Sequence, residues 1–315
     1  MSFDTLLGNE QLKKNLTNSL KSGHISHFYL ISGPEGSGRH TLARLLAAAI
    51  LCQGRNKPCL SCGPCRKVME GLHPDFITID DPEKKTVAVE LIRQARADIY
   101  VQPNEADHKI YLFPRAQDMG LPSQNALLKV LEEPPKYGVF LLLTNNPERL
   151  LPTVRSRCTQ LQLRPLQEDV LRTRLQRDFP GADREAISAA IARSAGFLGQ
   201  AQAMLRDGSS PQTENFLRSF GARDAMGLLQ TLVPMEKWKR DQLIPTLSSW
   251  LELLQNSLAC RSGMPAVSSL SRSLSTQRSP QELMRAITCL QKSIEYAQSN
   301  VSPAAICGWL AWELR

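Results

Sequence analysis

The chain has 315 residues, 42% of them hydrophobic, with 38 basic and 30 acidic side chains and a formal net charge of +8. This length exceeds what one hydrophobic core usually supports, so two or three domains are expected, and the basic balance favours contact with a polyanion without requiring it. No run of about 18 apolar residues is present, and residues 1–13 lack a basic region followed by an apolar stretch. We therefore expect no membrane span, no secretion signal and a cytoplasmic protein.

The first half of the chain alternates strand and helix patterns. Short runs typical of strands lie at residues 27–32, 75–79, Lys109–Phe113 and 139–144. One helical pattern occupies residues 39–51. A second begins near Ser123, carries Leu127, Leu128 and Leu131 on one face, and is stopped by Pro134 and Pro135. This alternation predicts a parallel sheet covered by helices.

Helical patterns dominate the second half. A helix is expected over residues 184–194, ended by Gly196. A later helix has an apolar face that consists of Leu247, Trp250, Leu251, Leu254 and Leu258. Ser279, Pro280 and Glu282 provide an N-cap, a first-position proline and a capping-box glutamate, so another helix should begin there.

Changes in pattern along the chain predict its division. The serine-rich residues 263–277 are expected to form an exposed loop. The domains are expected at residues 1–164, 165–207 and 208–315, of which the first is α/β and the other two are helical.

A glycine-rich turn follows the first strand with the spacing of a phosphate-binding P-loop. Its glycines are Gly33, Gly36 and Gly38. Such a loop offers backbone N–H groups to phosphates, while a lysine and a hydroxyl serve the phosphates and magnesium. Here Arg39 holds the lysine position, where a guanidinium still binds oxyanions. His40 holds the hydroxyl position, where it is a poor magnesium ligand.

The acidic pair that would complete an ATP site is also missing. The apolar strand Lys109–Phe113 runs into Pro114 and Arg115, where two carboxylates would hold the metal and orient water. Asp118 lies too far along the chain to take that role by default. Because both halves of the site have lost their chemistry, we expect no ATP hydrolysis and weak or no ATP binding.

Several motifs resemble those of bacterial clamp-loader subunits of the AAA+ family. They are Gly8-Asn9-Glu10, the P-loop, and residues 123–135, 143–147 and 151–158, which read SQNALLKVLEEPP, LTNNP and LPTVRSRC. The resemblance covers the first half closely, whereas the last third resembles the family only in being helical. The gamma/tau branch keeps the lysine, the hydroxyl residue and the acidic pair, and the delta-prime branch often lacks them. The departures at Arg39, His40, Pro114 and Arg115 therefore resemble the delta-prime branch.

The resemblance implies a fold and a set of partners. The expected fold is an α/β AAA+ domain, a P-loop NTPase-like parallel sheet with a zinc-module insertion, followed by a helical lid and an all-α C-terminal collar domain. The expected partners are delta and gamma/tau subunits in a hetero-pentameric ring of the DNA polymerase III holoenzyme. In the family this ring uses ATP bound at other subunits to open the sliding clamp and place it on primed DNA.

Two residue roles also follow from the resemblance alone. In the family a Ser-Arg-Cys motif supplies an arginine to the ATP of the adjacent subunit. The motif here is Ser156, Arg157 and Cys158, so Arg157 is the expected trans-acting residue. A guanidinium in that position neutralises charge that develops on the γ-phosphate. Asn145 matches the family's sensor position, although without a catalytic site it would also suit a simple turn cap.

Four of the eight cysteines lie in one short segment: Cys52, Cys59, Cys62 and Cys65. Four thiolates at such spacing suit a tetrahedral zinc ion, although iron–sulfur clusters also use closely spaced cysteines. The resemblance includes a zinc module at this place, so zinc is expected. Four cysteines close the coordination shell, which makes a structural role the expectation. His73 is a spare ligand candidate, more typical of a surface histidine.

Two other functions stay open at this point. One is an active gamma/tau-type ATPase that uses Arg39 as its lysine, and the other is a zinc-dependent nucleic-acid-binding module. Glu132 and Glu133 are sequential and lie about 100° apart on a helix, so a solvated helix end is expected rather than an acid–base pair. Trp309 and Trp312 are expected to pack the terminal helix rather than to stack on bases.

Overall fold

The computed structural model describes residues 3–81, 84, 86–207, 211–262, 269–299 and 301–314. The chain forms two compact units. The first comprises Met1–Val170 with Phe197–Gly199, and the second comprises Leu171–Gly196 and Gln200–Arg315. The finer division of the helical part into a lid at 165–207 and a collar at 208–315 stays a prediction.

The first unit is built on a parallel sheet of five strands. They are β1 (Phe28–Ser32), β2 (Phe76–Thr78), β3 (Lys109–Phe113), β4 (Gly138–Thr144) and β5 (Thr159–Gln162). Their order across the sheet is β2-β3-β4-β1-β5, and each neighbouring pair is parallel. Strands β3 and β4 are buried along their whole length, which explains their continuous apolar sequences. The predicted parallel α/β sheet is confirmed.

Helices cover both faces of this sheet. They are α1 (Glu10–Lys21), α2 (Arg39–Ile50), α3 (Gly63–Glu70), α4 (Val89–Asp98), α5 (Leu121–Glu132) and α6 (Pro152–Arg155), with short 3-10 turns at Ala116–Asp118 and Pro147–Arg149. Alternate strand residues point to opposite faces. Tyr29 and Ile31 therefore pack in one core with α2, whereas Phe28 and Leu30 pack in the other with α4 and α5.

The second unit is helical throughout its described residues. Two of its helices, α7 (Glu168–Asp178) and α9 (Leu198–Asp207), begin in the first unit. The others are α8 (Arg184–Arg193), α10 (Pro211–Ala222), α11 (Ala225–Leu232), α12 (Arg240–Arg261), α13 (Ser269–Gln277), α14 (Pro280–Gln298) and α15 (Pro303–Glu313), with a 3-10 turn at Val233–Lys237. Trp250 of α12 is fully buried and stacks on Phe216 with ring centroids 4.0 Å apart. The predicted apolar face of α12 is confirmed, because Leu247, Trp250 and Leu254 are buried in this core and Leu251 and Leu258 pack against it.

One sequence prediction in this unit is wrong. Part of the segment 263–277, predicted as an exposed loop, is the helix α13, while residues 263–268 lie outside the described part of the chain. Ser271 and Leu274 are buried, and α13 packs on α12. The buried Ser275 donates its hydroxyl to the carbonyl of Arg272, so this polar residue is buried with its hydrogen bond made, which a serine-rich composition does not indicate.

The capping prediction is confirmed and the tryptophan prediction holds for one residue. Ser279 accepts a hydrogen bond from the Glu282 backbone, and Glu282 accepts one in return, so α14 begins with a full capping box. Trp309 is partly buried and meets Tyr296 edge-to-face at 5.6 Å, whereas Trp312 is 68% exposed.

Among the described residues, no helix combines the length and the apolar character that crossing a membrane requires.

Candidate functional site

The glycine-rich turn lies at the carboxyl edge of the sheet, between β1 and α2. The N–H of Gly33 donates to the carbonyl of Thr144 at 3.2 Å, which ties the turn to the end of β4. Gly36 and Gly38 have φ angles of 73° and 95°, a region that glycine enters without strain. Arg39 then begins α2 with a buried side chain whose Nη1 has no hydrogen-bond partner. The turn therefore places the N-terminus of α2 at the sheet edge, and its role in phosphate binding stays a prediction.

The residues that would serve a metal-bound nucleotide are replaced by cationic or neutral groups. Burial lowers the pKa of His40, and the charges of Arg39 and Arg44 lower it further against the opposing effect of Asp80. A neutral imidazole therefore stands where a hydroxyl would ligate magnesium, an ion that prefers oxygen ligands. Burial also lowers the pKa of Arg39, while Glu35 acts in the opposite direction.

Arg115, which follows β3, forms an internal ion pair at the same edge. Its Nη2 and Nε lie 2.6 and 3.0 Å from Oδ1 of Asp80, the residue that follows β2 closely. The guanidinium also donates to the carbonyl oxygens of Asp81 and Lys84. The hydrogen bond to Asp80 raises the pKa of Arg115. The carboxylate at this edge is therefore already neutralised by a permanent cation, so this pair does not suit a magnesium ion.

Asp118 and Asn145 are not brought into a catalytic arrangement. Asp118 lies 3.6 Å from Arg149 in an ion pair. Asn145 is exposed. The turn cap after β4 is formed by its neighbour Asn146, whose Oδ1 accepts the N–H of Glu148 at 3.1 Å. The expectation that Asn145 itself caps this turn is therefore wrong, and its sensor role stays a prediction.

The Ser-Arg-Cys motif follows α6 and places one arginine at the surface. Cys158 is buried and its Sγ donates to the carbonyl of Val154, and burial raises the pKa of this thiol to about 12. Arg157, by contrast, has a side chain that is 41% exposed. Arg155 is 25% exposed and is paired with Glu148. Arg157 of the motif is thus more accessible to a second molecule than Arg155, which precedes the motif.

The buried Gln124, which we did not predict as a site residue from the sequence, fixes the segment that leads to this motif. Gln124 of α5 donates from Nε2 to the carbonyls of Met119 and Arg149 and accepts the N–H of Leu151 at 2.7 Å. A signal for its burial was present, since Gln124 precedes Leu127 by three positions and lies on the same helix face. Gln124 thereby joins α5 to the start of α6.

The four predicted cysteines are brought together. The Sγ atoms of Cys52, Cys59, Cys62 and Cys65 all lie within 4.8 Å of one another. Two of the Sγ···Sγ distances are 4.0 Å. Tetrahedral zinc with Zn–S bonds of about 2.3 Å requires separations of about 3.8 Å, so the cluster has the dimensions of a four-thiolate zinc site.

The surroundings of the cluster also suit a metal. Backbone N–H groups of Gly54 and Cys59 point at the sulfur of Cys52, and the N–H of Cys62 points at that of Cys59. Hydrogen bonds from Ser61 and Cys62 lower the pKa of Cys59 to about 5, whereas burial raises the pKa of Cys52 and of Cys65. A Cβ on Gly54 would lie 3.1–3.2 Å from Cys59, a tight contact, so the loop wraps closely around the cluster at this position. The cluster therefore suits a single metal ion.

His73 does not join this group. It is 3% exposed, against the expectation of a surface histidine, and its Nδ1 accepts the N–H of Asp75. The neighbouring Asp75 is fully buried and accepts hydrogen bonds from Asn104, Glu105 and Ala106. His73 thus belongs to a buried turn before β2.

Comparison with known proteins gives matches in the first half of the chain. A model of the family described as "DNA polymerase III, delta subunit" matches residues 8–167. DNA polymerase III subunit gamma of Buchnera aphidicola subsp. Schizaphis graminum is 36% identical over 170 residues, which are 53% of this chain and 46% of that protein. DNA polymerase III subunit delta' of Bacillus subtilis is 35% identical over 166 residues, 52% of this chain and 50% of that one.

These matches have a limited extent. The chain spans about half the length of these curated relatives. Among solved structures, a gamma subunit-related protein of Thermotoga maritima covers 97% of this chain and is itself fully covered, with a TM-score of 0.44 and 17% identity. The assignment to a family therefore depends on the match of residues 8–167 and not on the structural likeness.

Proposed function

Because the chain belongs to the DNA polymerase III delta-subunit family, a family of clamp-loader AAA+ proteins, we propose that it is a delta-prime-like subunit of a bacterial clamp loader. In this proposal it does not hydrolyse ATP. It forms a hetero-pentameric ring in the cytoplasm with delta and gamma/tau subunits. It supplies Arg157 to ATP bound by a neighbour while the ring opens the sliding clamp and loads it on primed DNA.

The observation that carries the proposal is the Arg115–Asp80 ion pair. In a hydrolysing subunit two carboxylates at the end of β3 would hold magnesium and orient water. Here the position carries a guanidinium that is bonded to Asp80 at 2.6 Å. A permanent cation at this point repels a metal ion, and His40 offers no oxygen in the P-loop. Loss of ATP hydrolysis follows from both substitutions together.

The exposure of Arg157 supports its proposed role in trans. Its guanidinium reaches the surface, while its neighbours Val154 and Cys158 anchor the motif in the core. Gln124 restrains the preceding turn with hydrogen bonds on both sides. An arginine whose backbone is held rigidly can enter a neighbour's site with little loss of conformational freedom. There it stabilises charge on the transferring phosphoryl group.

The cysteine cluster supports a structural zinc ion. Cys52 follows α2 directly and Cys65 lies in α3, so a metal held between them would pin both helices together. Four thiolates leave no open position for water or substrate, so the ion would have no catalytic function. We propose that it stabilises the α2–α3 region of the first unit.

The test is ATP hydrolysis in a reconstituted mixture of the cognate clamp, delta and gamma/tau subunits with primed DNA. The chain alone should show no turnover, and the complete mixture should turn over ATP. Arg157→Ala should lower turnover, by about 10³-fold or more at the neighbour's site, although the other sites of the ring limit the total loss. The matched control is Arg149→Ala, which removes another exposed arginine from the same segment.

ATPase and DNA-binding measurements on the isolated chain separate the rival functions. Magnesium-dependent hydrolysis by the isolated chain would contradict the inactive-site proposal and favour a gamma/tau-type ATPase with Arg39 in the lysine position. Tight DNA binding by the isolated chain that is lost with the metal would favour a zinc-dependent nucleic-acid-binding module. An unchanged rate with Arg157→Ala would overturn the assignment of the trans-acting residue.

A further inference from the structure

The carboxylate of Glu132 lies beside the guanidinium of Arg157. Glu132 is the last residue of α5, and its Oε1 is 3.7 Å from Nη2 of Arg157. The two residues are far apart in the chain but share a rigid base. Leu131, Val154 and Cys158, which adjoin them in sequence, are buried in one core. The packing of α5 against α6 therefore holds the two charges next to each other.

A hydrogen bond within the same chain is the second contact that holds the side chain of Arg157. Its Nη1 donates to the carbonyl of Thr153 at 3.1 Å. Both partners of the guanidinium are thus groups of the same chain. The side chains remain 41% and 58% exposed, so the ion pair can open without any change in the core.

We propose that Glu132 is the counter-ion that holds Arg157 on its own subunit until the arginine engages a phosphate of the neighbour. This inference rests on the proposed function. To reach an anionic phosphate the guanidinium must leave Glu132, so its attraction to this carboxylate has to be overcome first. Glu132 therefore weakens the engagement of Arg157 and is a positioning residue that does not touch ATP.

The size of the effect follows from the exposure of the pair. Exposed ion pairs are worth about 0.2–1 kcal/mol, which corresponds to a factor of up to about five. Glu132→Gln removes the charge and keeps the shape. It should raise kcat/KM for ATP in the reconstituted ring by about 1.4- to five-fold at low salt. The gain should shrink toward unity as ionic strength rises, because salt screens exposed charges.

The experiment is a double-mutant cycle in the complete ring, with wild type, Glu132→Gln, Arg157→Ala and the double variant. Glu133→Gln is the matched control, since it removes the same charge from the exposed neighbouring position. We expect a gain with Glu132→Gln, no change with Glu133→Gln, and no effect of Glu132→Gln once Arg157 is alanine. A purely structural role for Glu132 would lower activity in both backgrounds and with any salt.

The outcomes separate the two proposals. If Arg157→Ala does not lower ATP turnover, the trans-acting role of Arg157 in the proposed function is wrong. If Arg157→Ala lowers turnover but Glu132→Gln equals wild type at low salt, the counter-ion role is overturned while the proposed function stands. A loss of activity with Glu132→Gln would also overturn it, because the carboxylate would then present the arginine instead of restraining it.

Discussion

Removal of one cysteine ligand should uncouple α2 from α3 and lower the stability of the first unit. The proposed metal closes the loop between Cys52 and Cys65, which has about 14 residues. A covalent cross-link around a loop of about 15 residues stabilises a fold by about 3 kcal/mol in the chain-entropy description. Much larger values, about 10–16 kcal/mol, apply to zinc fingers that are unfolded without metal. The lower figure applies here because Cys65 and Val68 also pack in the apolar core with α2.

A stability loss of about 3 kcal/mol corresponds to a fall in Tm of about 6–12 °C for a unit of this size. The variant is Cys62→Ser, because Cys62 is only partly buried and its replacement leaves no large cavity. The control is Cys260→Ser, a similarly exposed cysteine outside the cluster. Metal content by atomic emission and Tm by calorimetry are measured for all three proteins, with and without a chelator. Wild-type protein that contains no zinc before chelation, or whose Tm without chelator equals that of Cys62→Ser, would refute the metal assignment.

Two further predictions concern charged networks. Arg115→Ala should lower the free energy of unfolding by roughly 1.5–3 kcal/mol in urea titrations, because it breaks charge-assisted hydrogen bonds to Asp80, and it should not create ATPase activity. Glu282→Gln should cost about 1 kcal/mol at neutral pH, since it weakens the capping box and the contacts with Arg223 and Arg278. Its backbone and side-chain hydrogen bonds lower the pKa of Glu282 from 4.5 to about 2, so this stabilisation is present above pH 4.5 and disappears as pH falls through about 2. If the free energies of unfolding of wild type and Glu282→Gln changed equally with pH over that range, the pH-dependent stabilisation would not come from Glu282.

Local patterns predicted the sheet and the cysteine cluster well. The run Lys109–Phe113 is continuous, apolar and bounded, and it is the strand β3 as predicted. The four cysteines lie within one short segment, so their meeting required only local folding of the chain. The capping box before α14 is equally local, since Ser279 and Glu282 are three residues apart.

Contacts between distant parts of the chain could not be predicted in this way. The sequence shows that Arg115 replaces an acid, but not that Asp80, from the neighbouring strand end, neutralises it. The burial of α13 depends on its packing against α12, which a serine-rich sequence does not indicate. The contact of Arg157 with Glu132 likewise arises from the packing of α5 and α6 in one core.

The most direct test of the account is a structure of the reconstituted ring, determined by electron cryomicroscopy with a magnesium-bound ATP analogue. We predict no magnesium-bound nucleotide in this chain's own P-loop and an intact Arg115–Asp80 pair. We also predict that the guanidinium of Arg157 lies against the terminal phosphate of the neighbour's nucleotide and away from Glu132. A magnesium-bound nucleotide held by Arg39 and His40, or an Arg157 that remains on Glu132 with the neighbour's site filled, would contradict it.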